Sequence, residues 1–149
     1  MRAVVQRVAS ASVSVDGMKV SSIGEGLLIL AGIHENDERD DMVYIRDKIL
    51  GLRIFNDDKG LMNRSVGDVN GDILLVSQFT LYGDARRGRR PSYSSAMTPE
   101  SAKSFFDQFV ASVRDQYPGV QSGIFGAHME ISLVNSGPVT ILLDSARIL

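Results

Sequence analysis

Two stretches of the chain are apolar without interruption, Leu27-Leu28-Ile29-Leu30-Ala31 and Ile73-Leu74-Leu75-Val76. Runs this short predict strands buried on both faces rather than helices, the second spanning Asp72 to Thr80. Arg2 to Val8 is a β-branched run, Ser12-Val13-Ser14-Val15 alternates, and Met18-Lys19-Val20 follows Asp16-Gly17. An Asp-Gly pair between alternating runs predicts a hairpin, because both central positions of the favoured turn take φ > 0. Arg53-Ile54-Phe55, Val120 to Phe125 and Met129 to Val134 read as further strands, the last with Met129, Ile131 and Leu133 on one face. Val139 to Leu143 is one more apolar run near the end.

Helical spacing occurs twice. Met42, Ile45, Ile49 and Leu52 form one face, with Asn36 or Asp37 as cap and Glu38, Asp40 and Asp41 at the positive end. Thr98-Pro99-Glu100 supplies a cap, a first-turn proline and a first-turn acid for the second helix. Its apolar face is Ala102, Phe105, Phe106, Phe109, Val110 and Val113, and Pro118-Gly119 stops it. Strands outnumber helices, which predicts an α/β (α+β) fold. The expected architecture is a mixed, partly closed sheet or barrel with two main helices packed on it. Gly83 to Thr98 has no clean period and is the longest loop, a length found mostly in functional or disordered segments.

Composition narrows the class. With no repeat or linker, residues 1–149 are expected to form a single domain with a real core. A content of 44% hydrophobic and 23% charged residues reads as soluble and globular. The absence of cysteine removes disulfides, a thiol nucleophile and cysteine-ligated metals. No run reaches membrane-spanning length and the N-terminus lacks a secretory pattern, so a cytoplasmic protein without membrane contact is expected. The net charge of −2 means that any nucleic-acid contact must come from a local patch.

Conventional hydrolytic machinery is scarce. The histidines are His34 and His128; His34-Glu35 lacks a second histidine at helical spacing, and His128 reads as a solvent-facing or interface residue on a strand. No nucleophile elbow or phosphate-binding glycine loop is present, and neither a metal nor another cofactor is expected. Ser77 and Thr80 carry hydroxyls at a strand end, but no base lies near them in sequence. They serve either as local backbone partners or beside main-chain N–H groups that form an oxyanion hole. Arg86, Arg87, Arg89 and Arg90 surround Gly88 and read equally as a solvated loop or as phosphate contacts, with Tyr82 and Tyr93 placed to stack on a base. Gly137-Pro138, within Asn135 to Thr140, reads on its own as a strand-connecting turn that presents rigid carbonyls.

The opening Met1 to Val8, Ser77-Gln78-Phe79-Thr80-Leu81, Arg90-Pro91-Ser92, Phe125-Gly126-Ala127 before Met129, and Gly137-Pro138 occur in one order. Together they closely resemble the D-aminoacyl-tRNA deacylase family over essentially the whole chain. The resemblance implies a homodimer with active sites at the subunit interface, hydrolysing the ester between a D-amino acid and the acceptor end of tRNA. It places Ser77, Gln78, Phe79 and Thr80 in the catalytic motif, with the Phe79 and Thr80 N–H groups on the ester carbonyl. The terminal 2′-hydroxyl of the tRNA would activate water, although Thr80 as nucleophile is a further reading. Gly137 and Pro138 would be a cis step inserted into the other subunit's site, excluding L side chains by main-chain clash. Arg7 and Met129 would support that loop. An achiral glycyl group would fit as well, giving activity on glycine misplaced on alanine tRNA. Ser136 and His128 stand where the family commonly has aspartate. The alternatives are a non-catalytic tRNA-binding module and an esterase for small D-aminoacyl substrates.

Overall fold

The computed structural model describes residues 1–149. Eight strands and two α-helices follow in the order β1 (Arg2–Val15), β2 (Met18–Ile23), β3 (Gly26–Gly32), α1 (Arg39–Gly51), β4 (Phe55–Asn56), β5 (Met62–Arg64), β6 (Asp72–Ser77), α2 (Pro99–Gln116), β7 (Val120–Ser122) and β8 (Glu130–Asp144). A 3-10 turn, Phe79–Tyr82, follows β6. The α/β fold, with a mixed and nearly closed sheet carrying two helices, is the one that the sequence pattern predicts.

β1 organises the sheet. Its first half, Arg2 to Val8, pairs antiparallel with β3, and its second half, from Ala11, pairs with β2. β8 lies antiparallel along the whole of its other edge. The Asp16-Gly17 hairpin takes φ of 51° and 76° at its two central residues, as an Asp-Gly turn requires. β3 pairs parallel with β6, and β6 parallel with β7. A parallel pair needs a long crossover, and the segments carrying α1 and α2 supply the two crossovers here.

The two apolar runs are buried on both faces because the sheet separates two cores. Leu27, Ile29, Ile73 and Leu75 face the helices, where they join Ile45, Ile49, Phe106, Phe109 and Val113. Leu28, Leu74 and Val76 face the other way, into the space closed by Val8, Ala11, Val13 and Ile23 of the curling first hairpin. A period of two along each strand sends successive side chains to opposite cores. Full burial stabilises by roughly 1.5–3 kcal/mol per large apolar side chain.

Several boundaries differ from the sequence reading. β1 is unbroken from Arg2 to Val15, because its partner changes while the strand continues. Glu38, rather than Asn36 or Asp37, is the N-cap of α1; its N–H donates to Asp41 Oδ2 at 2.9 Å. Asp37 is engaged instead by the His34 N–H at 2.7 Å and by the ammonium of Met1. The strand expected to reach Thr80 stops at Ser77, where Gln78 turns out of the ladder into the 3-10 turn. Thr98 occupies the N-cap of α2, but its hydroxyl forms no capping bond. The short strand expected at Arg53 is Phe55–Asn56, and β7 ends at Ser122. His128 and Met129 lie just before β8, not within it.

The Gly-Pro step is not a turn between two strands. β8 continues through it, and Thr140 pairs with Gln6 while Asn135 pairs with Val8. Four residues, Ser136 to Val139, thus oppose the single residue Arg7 and bulge out of the ladder. The Gly137–Pro138 peptide is cis.

Candidate functional site

A cleft of about 810 Å³ opens beyond the C-terminal ends of β3 and β6, the usual place for a ligand in sheets with parallel strands. One wall is Val76-Ser77-Gln78-Phe79 and the facing wall runs from Phe125 to Met129. The loop before α2 and the start of that helix close it with Tyr93, Met97 and Ala102. Its lining contains no Asp, Glu, Lys or Arg, and His128, exposed on the lip, is its one histidine.

Close approach of backbone shapes the Val76 to Phe79 wall. Gln78 N–H donates to Ala31 O at 2.7 Å, holding the end of β6 against β3. Gly32 lies beneath, where an added Cβ would meet Gln78 O at 2.9 Å and Leu81 Cβ at 3.0 Å. The chain then enters the 3-10 turn, whose first N–H groups have no partner within the turn. The N–H groups of Phe79 and Thr80 meet no protein acceptor. They are two adjacent free donors; Phe79 belongs to the lining of the apolar cleft, and Thr80 is the next residue beyond that lining. The Phe79 side chain is 57% exposed there and meets the Tyr93 ring edge-on, with centroids 5.1 Å apart.

The hydroxyls are poorly placed as nucleophiles. The Thr80 hydroxyl accepts a hydrogen bond from Gln78 Nε2, and no His, Asp or Glu is bonded to Ser77 or Thr80. What this wall offers chemically is a pair of donors for an oxygen that gains negative charge.

Gly137 and Pro138 do not line the cleft of their own chain. Arg7 holds their bulge from below. Its Nε donates to Ser136 O at 3.0 Å, and its Nη1 donates to Ile54 O at 2.7 Å and to Asn56 Oδ1 at 3.3 Å. Asn135 closes the neck of the bulge, accepting from Val139 N–H at 3.0 Å and donating to Thr140 Oγ1 at 3.0 Å. Sequence reasoning missed Asn135, although an amide beside a Gly-Pro step is a recognisable local hydrogen-bonding signal. Met129 lies in the cleft lining, so six residues of extended chain, roughly 20 Å, separate it from Asn135. Within the chain, therefore, Arg7 supports the bulge and Met129 does not touch it.

The arginine loop stands apart from the cleft. Gly88 takes φ of 77°, and an antiparallel bridge between Asp84 and Ser92 pins the base of the loop. Arg86 is already engaged, with Nε and Nη2 on the two oxygens of Asp84 at 2.9 and 2.6 Å. These bonds hold the Asp84 carboxyl well below its ordinary range, at about 2. Arg87, Arg89 and Arg90 are exposed and form no ion pair. Tyr82 is not available for stacking on a base. Its ring is buried between the Arg2 guanidinium and His34, and burial with the Asp37 and Asp144 charges raises its hydroxyl above the usual range. Tyr93, 39% exposed at the cleft, remains accessible.

This fold is shared with known proteins. A solved chain described as a c-Myc DNA unwinding element binding protein superposes with a TM-score of 0.93 and 41% identity, covering 97% of this chain and 98% of that one. D-aminoacyl-tRNA deacylases of Thermosipho africanus and Thermosipho melanesiensis are 52% and 56% identical, each over 99% of both chains. That of Clostridium acetobutylicum is 51% identical over the same share. The family model for D-Tyr-tRNA(Tyr) deacylase matches residues 4–144. The chain belongs to this deacylase family.

Proposed function

We propose that the protein hydrolyses the ester of D-aminoacyl-tRNA as a cytoplasmic homodimer, releasing the free D-amino acid and tRNA. The observation that carries this reading is the pair of free N–H groups at Phe79, which lines the uncharged cleft, and at the following residue, Thr80. The ester carbonyl sits against them. Attack of water makes a tetrahedral intermediate whose oxyanion they stabilise, and the carbon–oxygen bond to the ribose 3′-oxygen then breaks. Loss of one such donor typically costs about 10²–10³ in rate. Water is activated by the neighbouring 2′-hydroxyl of the terminal ribose, so Ser77 and Thr80 need no base. Gln78 holds the Thr80 hydroxyl and fixes the motif around the amides.

The second subunit supplies chirality. Gly137 and Pro138 lie outside their own cleft, on an edge strand whose Leu133, Val134 and Leu142 are 37%, 57% and 58% exposed. A bare apolar edge of that length favours pairing with a second copy. Docked there, the Gly137-Pro138 carbonyls of one protomer face the substrate's α-amino group in the other's cleft, leaving no room for an L side chain. Met129, in the receiving cleft, then touches the loop across the interface. A glycyl ester, having no side chain, passes the same gate, which extends the activity to glycine misplaced on alanine tRNA. The acceptor end reaches the cleft, and Arg87, Arg89 and Arg90 contact phosphates.

Deacylation of D-tyrosyl-tRNA beside L-tyrosyl-tRNA, with a chelator present, tests the reading. Loss of the D ester alone is expected. Equal hydrolysis of both would remove the Gly137-Pro138 gate, and tRNA binding without hydrolysis would leave a binding module. A D-tyrosyl-tRNA ending in 2′-deoxyadenosine should be cleaved far more slowly; an unchanged rate would refute activation by the ribose.

A further inference from the structure

The two free amides belong to a turn of only four residues, Phe79–Tyr82. A single 3-10 turn has poor hydrogen-bond geometry and cannot fix its own orientation. Its carboxyl end is anchored from outside. The Leu81 carbonyl accepts from Arg2 Nη1 at 3.2 Å. The next residue, Tyr82, is 8% exposed, with its ring 4.7 Å from the Arg2 guanidinium carbon on one side and 5.1 Å from the His34 ring on another. Arg2 is itself held by Asp144, whose Oδ2 accepts from Arg2 Nε at 3.0 Å and whose Oδ1 accepts from Ala146 N–H at 2.7 Å. The Asp144 side chain is 3% exposed, and Arg2 is its ion-pair partner.

We propose that Arg2, seated on Asp144, is a positioning residue that aims the Phe79 and Thr80 amides into the cleft. The proposal rests on the reading of those amides as the ester-carbonyl site. Arg2 touches neither the cleft nor the reacting atoms; it acts through the Leu81 carbonyl and the Tyr82 ring. Arg2 and Asp144 are opposite residues in the β1–β8 ladder, so the anchor is part of the sheet. A guanidinium can bond Asp144 with Nε, bond Leu81 O with Nη1 and lay its face on Tyr82 at once. The compact ammonium of lysine can neutralise Asp144 but cannot make all three contacts. Small errors in aim matter because reaction rates fall steeply when a catalytic group is displaced by about an ångström.

Arg2→Lys separates positioning from folding, since it keeps a cation beside the buried carboxylate. Single-turnover deacylation of D-tyrosyl-tRNA should slow about tenfold or more, with the KM for tRNA changed less than about twofold. The amide ¹H–¹⁵N signals of Phe79 and Thr80 should shift while Tm stays close to that of the parent. Arg2→Met should lose at least as much rate and also lower Tm. A parental rate for Arg2→Lys with unshifted amides would overturn the proposal, as would a loss of rate fully explained by the unfolded fraction. Phe79→Pro, which deletes one donor at a position where a helical turn tolerates proline, separates this failure from that of the underlying reading. If Phe79→Pro is slow and Arg2→Lys is not, the Arg2 assignment alone fails. Parental turnover by Phe79→Pro would overturn the amide site and this proposal with it.

Discussion

Replacing Gly137 by alanine tests the bulge at the atom where it is tightest. Gly137 has φ of +126°, a backbone conformation that L side chains rarely adopt. Holding a non-glycine residue in such a region costs about 1–3 kcal/mol. The new Cβ would also meet Arg7 Nη2 at 2.7 Å and Val139 Cγ2 at 2.9 Å. Arg7 cannot yield freely, since its guanidinium is bonded to Ser136 O, Ile54 O and Asn56 Oδ1. Breaking one charge-assisted bond of this kind costs about 1.5–3 kcal/mol, giving a local total of about 2.5–6 kcal/mol. The bulge projects from an edge strand, so it can reshape without dismantling either core. Gly137→Ala should therefore remain folded but displace Pro138 and release Arg7. Hydrolysis of D-tyrosyl-tRNA should fall, discrimination against L-tyrosyl-tRNA should weaken, and Tm should drop by a few degrees. Parallel measurement of both esters and of thermal unfolding would decide it. Parental rate, selectivity and Tm together would refute the claim that glycine is required by the contact with Arg7.

Changing Arg87, Arg89 and Arg90 together to glutamine should raise the KM for tRNA and flatten its dependence on salt, at roughly 0.7–0.9 log unit for each phosphate no longer neutralised, without altering turnover of a small D-aminoacyl ester. Arg86→Gln should have the smaller effect of the four, because Arg86 is already paired with Asp84; equal effects at all four positions would count against that distinction. The Asp84 carboxyl titrates at about 2 in the folded protein against an ordinary 3.8. A depressed pKa favours the folded loop above the ordinary value and loses that preference as pH falls toward 2, so carboxyl NMR should show Asp84 ionised at pH 4 and moved upward in Arg86→Gln. Phe109 is fully buried between the helices and the sheet. Phe109→Ala should cost about 3–5 kcal/mol in chemical denaturation, and a loss below about 1 kcal/mol would contradict its place at the centre of that core.

The contrast between sequence and structure follows the range of each interaction. Period and composition are local, so the doubly buried runs of β3 and β6, the Asp16-Gly17 hairpin and both helix faces were legible directly. The family resemblance carried by Ser77 to Thr80 and Gly137-Pro138 was legible as well, because motif order is written along the chain. Boundaries were less legible where a tertiary partner decides them. β1 continues past Ala9 because β2 and β8 take up its second half, and β6 stops at Ser77 because Gln78 turns away after bonding to Ala31.

What lay beyond the sequence was convergence. Nothing near Arg2 announces Asp144 or Leu81, which come from 142 and 79 positions away through strand register. Nothing beside Tyr82 shows that Arg2 and His34 bury its ring, or that Arg86 in the basic cluster is spent on Asp84. The bulge at Gly137, its support by Arg7 and its distance from its own cleft likewise depend on how two strands pair far from their turns. Local physics determined the elements and the motifs, since dihedral preference and side-chain period act over a few residues. Non-local pairing alone decided which atoms meet, because burial and hydrogen bonding reward contacts that no short window of the chain contains.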